Sequence, residues 1–314
     1  MSLLLSISGW NVADWAERFR ALDPDRTIQI AGEPETDPAL AEYGVAWKPA
    51  AGIFTTSPNL KAIFSLGAGV DAILQDKTLP DVPVVRIIDA DLTQRMTEWV
   101  TLQVLLHHRQ QRRLDAAQQR REWLSLSQWA ASEVRVGILG LGALGKDSAE
   151  VLSRLGFQVA GWSRSPKSIP GIESFSGADG LQAFLARTEI LVCLLPLTPD
   201  TTGILNYDLF TGLARDSRFG APVVINAGRG GHQVEADILR ALDDGTLAAV
   251  SLDVFETEPL PVENPLWGHP GVTLSPHSAA DSEPEPMCRN IMGQIAAFER
   301  GEPLRNVVDR SAGY

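Results

Sequence analysis

The chain has 314 residues, 44% hydrophobic and 21% charged, which is long enough for two domains and too apolar for a disordered segment. A formal net charge of -12, from 27 Lys and Arg against 39 Asp and Glu, argues against a nucleic-acid partner, which needs clustered basic residues. Two cysteines, Cys193 and Cys288, make neither a disulfide framework nor a metal cluster, so no metal is expected and a reducing cytoplasm fits, and no apolar run reaches membrane length.

Residues 1 to about 97 alternate short apolar runs with helical ones, at Leu3–Ser8, Val12–Leu22, Ile28–Ala31, Val45–Trp47, Ala62–Leu66 and Val84–Ile88. That alternation predicts a small α/β domain with a parallel sheet. The apolar start lacks a basic stretch before it and runs into Trp10 and Asp14, so it reads as a first strand and not as a signal peptide. Ser65 to Asp71 is a glycine turn after a strand. It is either a tight turn opening a helix at Asp71 or a nest of amides for a carboxylate. Thr97 to Trp123 is a long proline-free helical pattern leading into a second domain, and the basic residues of 109–121 alternate with Gln and Leu as on a solvated helix face.

From Val134 the chain repeats strand and helix: Val134–Gly140, a helix to Leu155, strand Gln158–Ser163, helix Gly180–Arg187, strands Ile190–Pro196 and Val223–Asn226, helix Glu235–Asp243, then strands Ala248–Phe255 and Val272–Ser275. Met287 to Arg300 is helical again. This order makes a doubly wound sheet. Its first strand ends in three glycines, Gly140, Gly142 and Gly145, before a helix. Such a loop turns tightly at the first, admits a pyrophosphate at the second and packs helix on strand at the third, so a dinucleotide is expected, with a methyltransferase-type adenosine site as the competing reading.

In dinucleotide folds an acid about 20 residues past the glycines holds the ribose 2′-hydroxyl, whereas Arg accommodates a 2′-phosphate. Here the second strand runs into Ser163, Arg164 and Lys167 with no acid, so NADP is preferred and NAD remains open, as does a basic surface turn. Three segments then stand at strand ends: 226–230 with Arg229, 253–259 with Glu258, and 275–280 with His277. Reducing a ketone needs a hydride donor, a proton donor and something to polarise the carbonyl. An imidazolium supplies the proton, a guanidinium grips a neighbouring carboxylate, and a carboxylate beside the imidazole keeps it oriented and charged. Singly, each has a bland alternative, Arg229 as a surface ion pair, Glu258 as a loop acid and His277 as a satisfied strand-end histidine; together they read as a site.

The glycine loop, the Arg, Glu and His segments and their order resemble the D-isomer-specific 2-hydroxyacid dehydrogenase family across nearly the whole chain, as do 67–71, Trp162-Ser163-Arg164, Leu260-Pro261 with Pro265-Leu266-Trp267, and Val308-Asp309-Arg310 with Gly313-Tyr314. The resemblance implies an α/β fold: a doubly wound parallel-sheet (Rossmann) nucleotide domain at 98–283 and a smaller flavodoxin-like substrate domain at 1–97 plus 284–314, in a homodimer. It implies Arg229 as substrate clamp, Glu258 as the histidine's partner and His277 as proton donor, with the amides of Ala68, Gly69 and Val70 on the substrate and Trp47 and Trp267 as aromatic walls. Gly140, Gly142, Ala143, Leu144, Gly145, Ser163, Arg164, Lys167, Leu195, Pro196, Ala227 and Asp253 are the cofactor candidates. The implied reaction is NADPH-dependent reduction of a small 2-oxo acid, glyoxylate or hydroxypyruvate first, to the D-2-hydroxy acid. Its alternatives are a bulkier 2-oxo acid such as phenylpyruvate, or a nucleotide-sensing binding protein. Two positions depart from the family pattern in a way that would loosen the site: Gly228, where Ala is usual, and Ser278, where a larger apolar residue is usual. His107, His108, His232 and His269 match no catalytic position and read as structural.

Overall fold

A computed structural model of the chain describes residues 2–281 and 283–314. It divides into two compact units, Met1–Asp91 with Ser282–Tyr314, and Leu92–Asp281.

The first unit is a five-stranded parallel sheet of β1 (Ser2–Ile7), β2 (Thr27–Ile30), β3 (Ala41–Trp47), β4 (Ala62–Ser65) and β5 (Val84–Val85), in the order β2-β1-β3-β4-β5. This is the flavodoxin-like doubly wound order. The run Leu3-Leu4-Leu5 is apolar throughout because both faces of β1 are covered. Leu3 and Leu5 join α1 (Val12–Leu22) and the C-terminal helix α9 (Pro284–Glu299) through Trp15, Phe19, Met287 and Ile291. Leu4 faces the other way, toward Phe54, Ile63 and Ile73, the last on α2 (Asp71–Leu74).

The second unit holds β6 (Arg135–Leu139), β7 (Gln158–Ser163), β8 (Glu173–Ser176), β9 (Ile190–Cys193), β10 (Val223–Asn226), β11 (Ala249–Leu252) and β12 (Val272–Leu274), all parallel, in the order β12-β11-β10-β9-β6-β7-β8. The strand order reverses between β6 and β9, the crevice where doubly wound sheets bind ligands. Successive residues of β9 alternate between two cores: Leu191 and Cys193 on one face, Ile190 and Val192 on the other. The connecting helices are α5 (Ala143–Arg154), α6 (Gly177–Ala186), α7 (Tyr207–Thr211) and α8 (Glu235–Asp243).

The single helix expected over Thr97–Trp123 is two, α3 (Ala90–His108) and α4 (Gln111–Gln119), because Gln110 takes a left-handed conformation at φ +55°. Residues 122–130 that follow have no regular structure. The units part near the start of α3, at Asp91 and Leu92, and Met96, Val100 and Val104 of that helix belong to the second unit's core. The sequence pattern does not mark strand β8 or helix α7: β8 is a polar edge strand with one exposed and three half-buried residues, so it has no apolar run. No described helix is long and apolar enough to cross a membrane.

α3 is fastened to β11 through a buried polar chain. Ser251 donates to Gln103 Oε1 at 2.8 Å and therefore accepts from His107 Nε2 at 2.8 Å, which makes His107 the neutral Nε2–H tautomer. Burial, helped by the Arg112 charge, pushes His107 down to about 4. Since the unfolded chain titrates near pH 6.5, it binds more protons than the folded one between that value and pH 4. The His107 contribution to stability is therefore complete above pH 6.5 and falls by up to about 3 kcal/mol as pH drops toward 4. Urea midpoints at pH 7 and 4.5 check this: the drop shrinks in His107→Gln, and an equal drop in both proteins would place the acid sensitivity elsewhere.

Candidate active site

Beyond β6 the chain turns at Gly140, whose φ is +102° and where a Cβ would lie 2.7 Å from the Leu194 carbonyl oxygen. At Gly145 a Cβ would stand 1.8 Å from the Gly140 carbonyl oxygen, so only glycine lets α5 start this close to the strand. Gly142 faces open space, with nothing within 4 Å of its Cβ position, and caps α5 without a side-chain hydrogen bond. The first-turn amides of α5, beginning at Ala143 and Leu144, thus meet an accessible backbone with no competing anionic side chain at the cap, a fit for a pyrophosphate. At the end of β7, Arg164 and Lys167 are exposed. Ser163 is buried and its hydroxyl donates to the Ser165 carbonyl at 2.8 Å, which shapes the turn that carries them. Cations without an acid at this position fit a 2′-phosphorylated dinucleotide. Leu195 and Pro196 follow β9 and Ala227 follows β10, along the same edge of the sheet.

Strands β10, β11 and β12 are neighbours in register, Asn226 beside Leu252 and Leu252 beside Leu274, so the three candidate segments emerge side by side. In the first, buried Asn226 accepts from the Gly228 N–H at 3.0 Å and donates to the Arg229 carbonyl at 3.2 Å. The Arg229 N–H donates to His232 Nδ1 at 3.0 Å, and the His232 N–H returns a bond to the Arg229 carbonyl at 3.1 Å. Gly230 packs so tightly that a Cβ would lie 1.8 Å from the Phe255 carbonyl oxygen. The Arg229 main chain is therefore held from both sides while its guanidinium reaches back to the Gly228 carbonyl at 2.9 Å. Gly228 opens no void: a methyl there would stand 2.8 Å from the His232 ring, which takes up that space. His232 is fully buried and bonded to the Arg229 backbone, a role that histidine chemistry in the sequence did not reveal.

In the other two segments, His277 Nδ1 meets Glu258 Oε2 at 2.9 Å and Oε1 at 3.1 Å. A carboxylate is an acceptor, so Nδ1 carries the hydrogen and Nε2 is the nitrogen presented outward. Glu258 is placed in turn by the Phe255 N–H, at 3.2 Å. Glu256 instead exchanges bonds with Glu235: each carboxylate accepts from the other's backbone N–H, at 2.8 and 2.9 Å, which anchors the start of α8.

His277 has a left-handed backbone, φ +54°, that the surroundings must hold in place. Its N–H donates to the Asp253 carbonyl at 2.8 Å. The Asp253 carboxylate, 2% exposed, accepts from Ser275 Oγ at 2.6 Å, the Ser278 N–H at 2.9 Å and the Ala279 N–H at 3.0 Å. Trp99 Nε1 supports Ser275 at 3.2 Å. Burial raises the Asp253 carboxyl above its ordinary range, and these hydrogen bonds work against that rise. Ser278 is exposed and contributes its backbone to this clamp.

Trp267 is 57% exposed and donates from Nε1 to the Pro261 carbonyl at 3.0 Å. In the first unit, Ala68, Gly69 and Val70 follow β4 in a loop tied by one hydroxyl: Ser65 Oγ accepts from the Gly67 N–H at 3.2 Å and donates to the Gly69 carbonyl at 3.1 Å. Trp47 closes β3 beside that loop, and a Cβ at Gly67 would be 2.6 Å from its ring.

Residues 101–279 match the family model for the D-isomer specific 2-hydroxyacid dehydrogenase, NAD binding domain. The glyoxylate/hydroxypyruvate reductase A of Serratia proteamaculans is 40% identical over the whole of both chains. A crystal structure of an NADPH-dependent glyoxylate/hydroxypyruvate reductase from Sinorhizobium meliloti, in complex with NADP and sulfate, is 49% identical and superposes with a TM-score of 0.94 over 100% of this chain and 99% of that one. A probable 2-hydroxyacid dehydrogenase from Rhizobium etli, solved with NADP, HEPES and L(+)-tartaric acid, gives 49% identity and a TM-score of 0.95 over the same shares. Full-length likeness at this identity, on a chain that carries the glycine loop and the paired His277 and Glu258, leads to one conclusion: this chain belongs to the D-isomer specific 2-hydroxyacid dehydrogenase family.

Proposed function

We propose that this chain is a cytoplasmic NADPH-dependent reductase that converts a small 2-oxo acid, glyoxylate or hydroxypyruvate first, to the D-2-hydroxy acid. The observation that carries it is the His277 Nδ1 to Glu258 contact of 2.9 Å, with a buried Asp253 holding the histidine's backbone. When bound, the cofactor supplies a hydride to the carbonyl carbon. His277 gives the proton from Nε2 to the carbonyl oxygen, and Glu258 holds the Nδ1–H so that the ring keeps one orientation and its positive charge is offset. Arg229 grips the substrate carboxylate with its planar fork and draws charge onto the carbonyl oxygen. By family resemblance the amides of Ala68, Gly69 and Val70 are assigned to substrate binding, and Trp47 and Trp267 are assigned as aromatic walls. Gly140, Gly142, Ala143, Leu144 and Gly145 would hold the pyrophosphate, Ser163, Arg164 and Lys167 the 2′-phosphate end, and Leu195, Pro196, Ala227 and Asp253 the remainder.

Initial rates of NADPH oxidation with glyoxylate, hydroxypyruvate, pyruvate and phenylpyruvate test the reading. The two small acids are expected to give the highest kcat/KM. A preference for phenylpyruvate would move the assignment to a bulkier acid, and no turnover with any of them would leave a nucleotide-binding protein. Arg164→Ala removes a charge-assisted contact worth about 1.5–3 kcal/mol, so the KM for NADPH rises about tenfold or more while that for NADH barely moves. Equal losses with both cofactors would show that Arg164 does not read the phosphate.

The same reading makes the protein a homodimer. Residues 122–130 run without regular structure and carry Trp123 at 99% exposure, and Leu102 of α3 is 51% exposed, apolar surface suited to a second copy. Light scattering should give about twice the 34.0 kDa chain mass. Cys193 and Cys288 are buried thiols, and burial pushes both up to about 12, which leaves them unreactive.

A further inference from the structure

We propose that Trp10 sets substrate-size selectivity by clamping Trp47 from the side opposite the glycine loop. The inference rests on the reading above, in which Trp47 walls the pocket and the Ala68 to Val70 amides bind the substrate.

β1 and β3 are parallel neighbours with Ile7 beside Trp47, and the Ser8 N–H donates to the Trp47 carbonyl at 2.9 Å. Gly9, at φ +84°, then turns the chain so that Trp10 lies flat on Trp47, with ring centroids 4.5 Å apart and planes 8° from parallel. Its other neighbour is Trp15, at 5.5 Å and 18°. Trp15 lies on α1 with its side chain buried in the first unit's core, and Asn11, just after Trp10, caps that helix by accepting from the Ala13 N–H. The result is a stack of three indoles with one end rooted in the core. At the other side of Trp47, the edge of its six-membered ring lies against Gly67, where a Cβ would sit 2.6 Å from Cζ3 and 3.3 Å from Cη2. Trp47 is therefore held between a stacked ring and the loop that precedes the candidate carboxylate nest.

Trp10 itself is 40% exposed, and its stacked face has a geometric consequence. With Trp10 in place the Trp47 ring is packed on one side by an indole and on the other by Gly67; without it the ring gains room to swing outward, and the loop loses its backing. A stiff wall holds a two- or three-carbon acid against the amides and rejects a phenyl side chain, whereas a mobile wall does neither well. Trp10 is a positioning residue in this scheme, acting through Trp47.

Trp10→Ala and Trp10→Phe decide the matter, with the wild-type assay read first. In Trp10→Ala the KM for glyoxylate is expected to rise about 3- to 10-fold, the loss of one aromatic stack, while kcat stays within about twofold and the KM for NADPH does not change. The kcat/KM ratio of glyoxylate to phenylpyruvate is expected to fall about tenfold, and Trp10→Phe, which keeps a ring, to restore most of it. An unchanged KM and ratio in Trp10→Ala, with an active wild type, overturn this inference and leave the function intact. A uniform loss in kcat, in both KM values and in melting temperature that Phe does not rescue makes Trp10 a stability residue and also overturns it. A wild type that reduces neither acid overturns the function and this inference together.

Discussion

His277→Gln lowers turnover by about 10²–10⁴-fold while the dissociation constant for NADPH stays near the parent value. Glutamine retains an N–H for Glu258 and a comparable size, but an amide has no acidic proton to give to a carbonyl oxygen. The backbone is held independently of the side chain, by the N–H bond to the Asp253 carbonyl and by the Asp253 carboxylate on the next two amides, so the segment keeps its place. The loss therefore belongs to proton transfer and not to a collapsed loop. Single-turnover rates and a cofactor titration on the same preparation measure it. Near-normal turnover would mean that another group is the acid.

Arg229→Ala produces a different signature, with kcat/KM for the 2-oxo acid down by about 10²–10³-fold through both a lower kcat and a higher KM. The guanidinium is expected to bind the ground-state carboxylate and to stabilise the charge that builds on the carbonyl oxygen, so both constants move. Arg229→Lys recovers little, because a point charge lacks the planar fork. Folding is spared: the main-chain bonds to His232 and Asn226 do not use the side chain, and the melting temperature should stay within a few degrees. A variant with a raised KM and unchanged kcat would restrict Arg229 to ground-state binding.

Much of the architecture lies in local pattern. Helix α1 and strands β7 and β10, with α8, run over the residues that periodicity assigns to them, because each has a continuous apolar face or run with a clear start and stop. The glycines at 140 and 145 announce their turn because a Cβ at either would meet a carbonyl oxygen, that of Leu194 or of Gly140. The order of the Arg229, Glu258 and His277 segments is likewise legible, since parallel strands deliver their carboxyl ends to one edge.

What local pattern leaves out is whatever depends on distant partners. Helix α3 stops at His108 because Gln110 turns left-handed, and nothing in the Gln- and Arg-rich run that follows marks the break. Asp253 reads from sequence as a cofactor candidate, but nothing there shows that its carboxylate also accepts from Ser275, Ser278 and Ala279, groups 22 to 26 residues away. His232 reads as structural, but its particular task, filling the space beside Gly228 and accepting from the Arg229 N–H, is seen only in the fold. Trp10 meets Trp47 only because parallel pairing brings the ends of β1 and β3 together. Residue type and spacing therefore determine which chemistry the chain can carry, since strand and glycine preferences act over a few residues. Tertiary structure alone decides which side chains hold that chemistry in place, since burial and hydrogen bonding join groups that the chain itself keeps far apart.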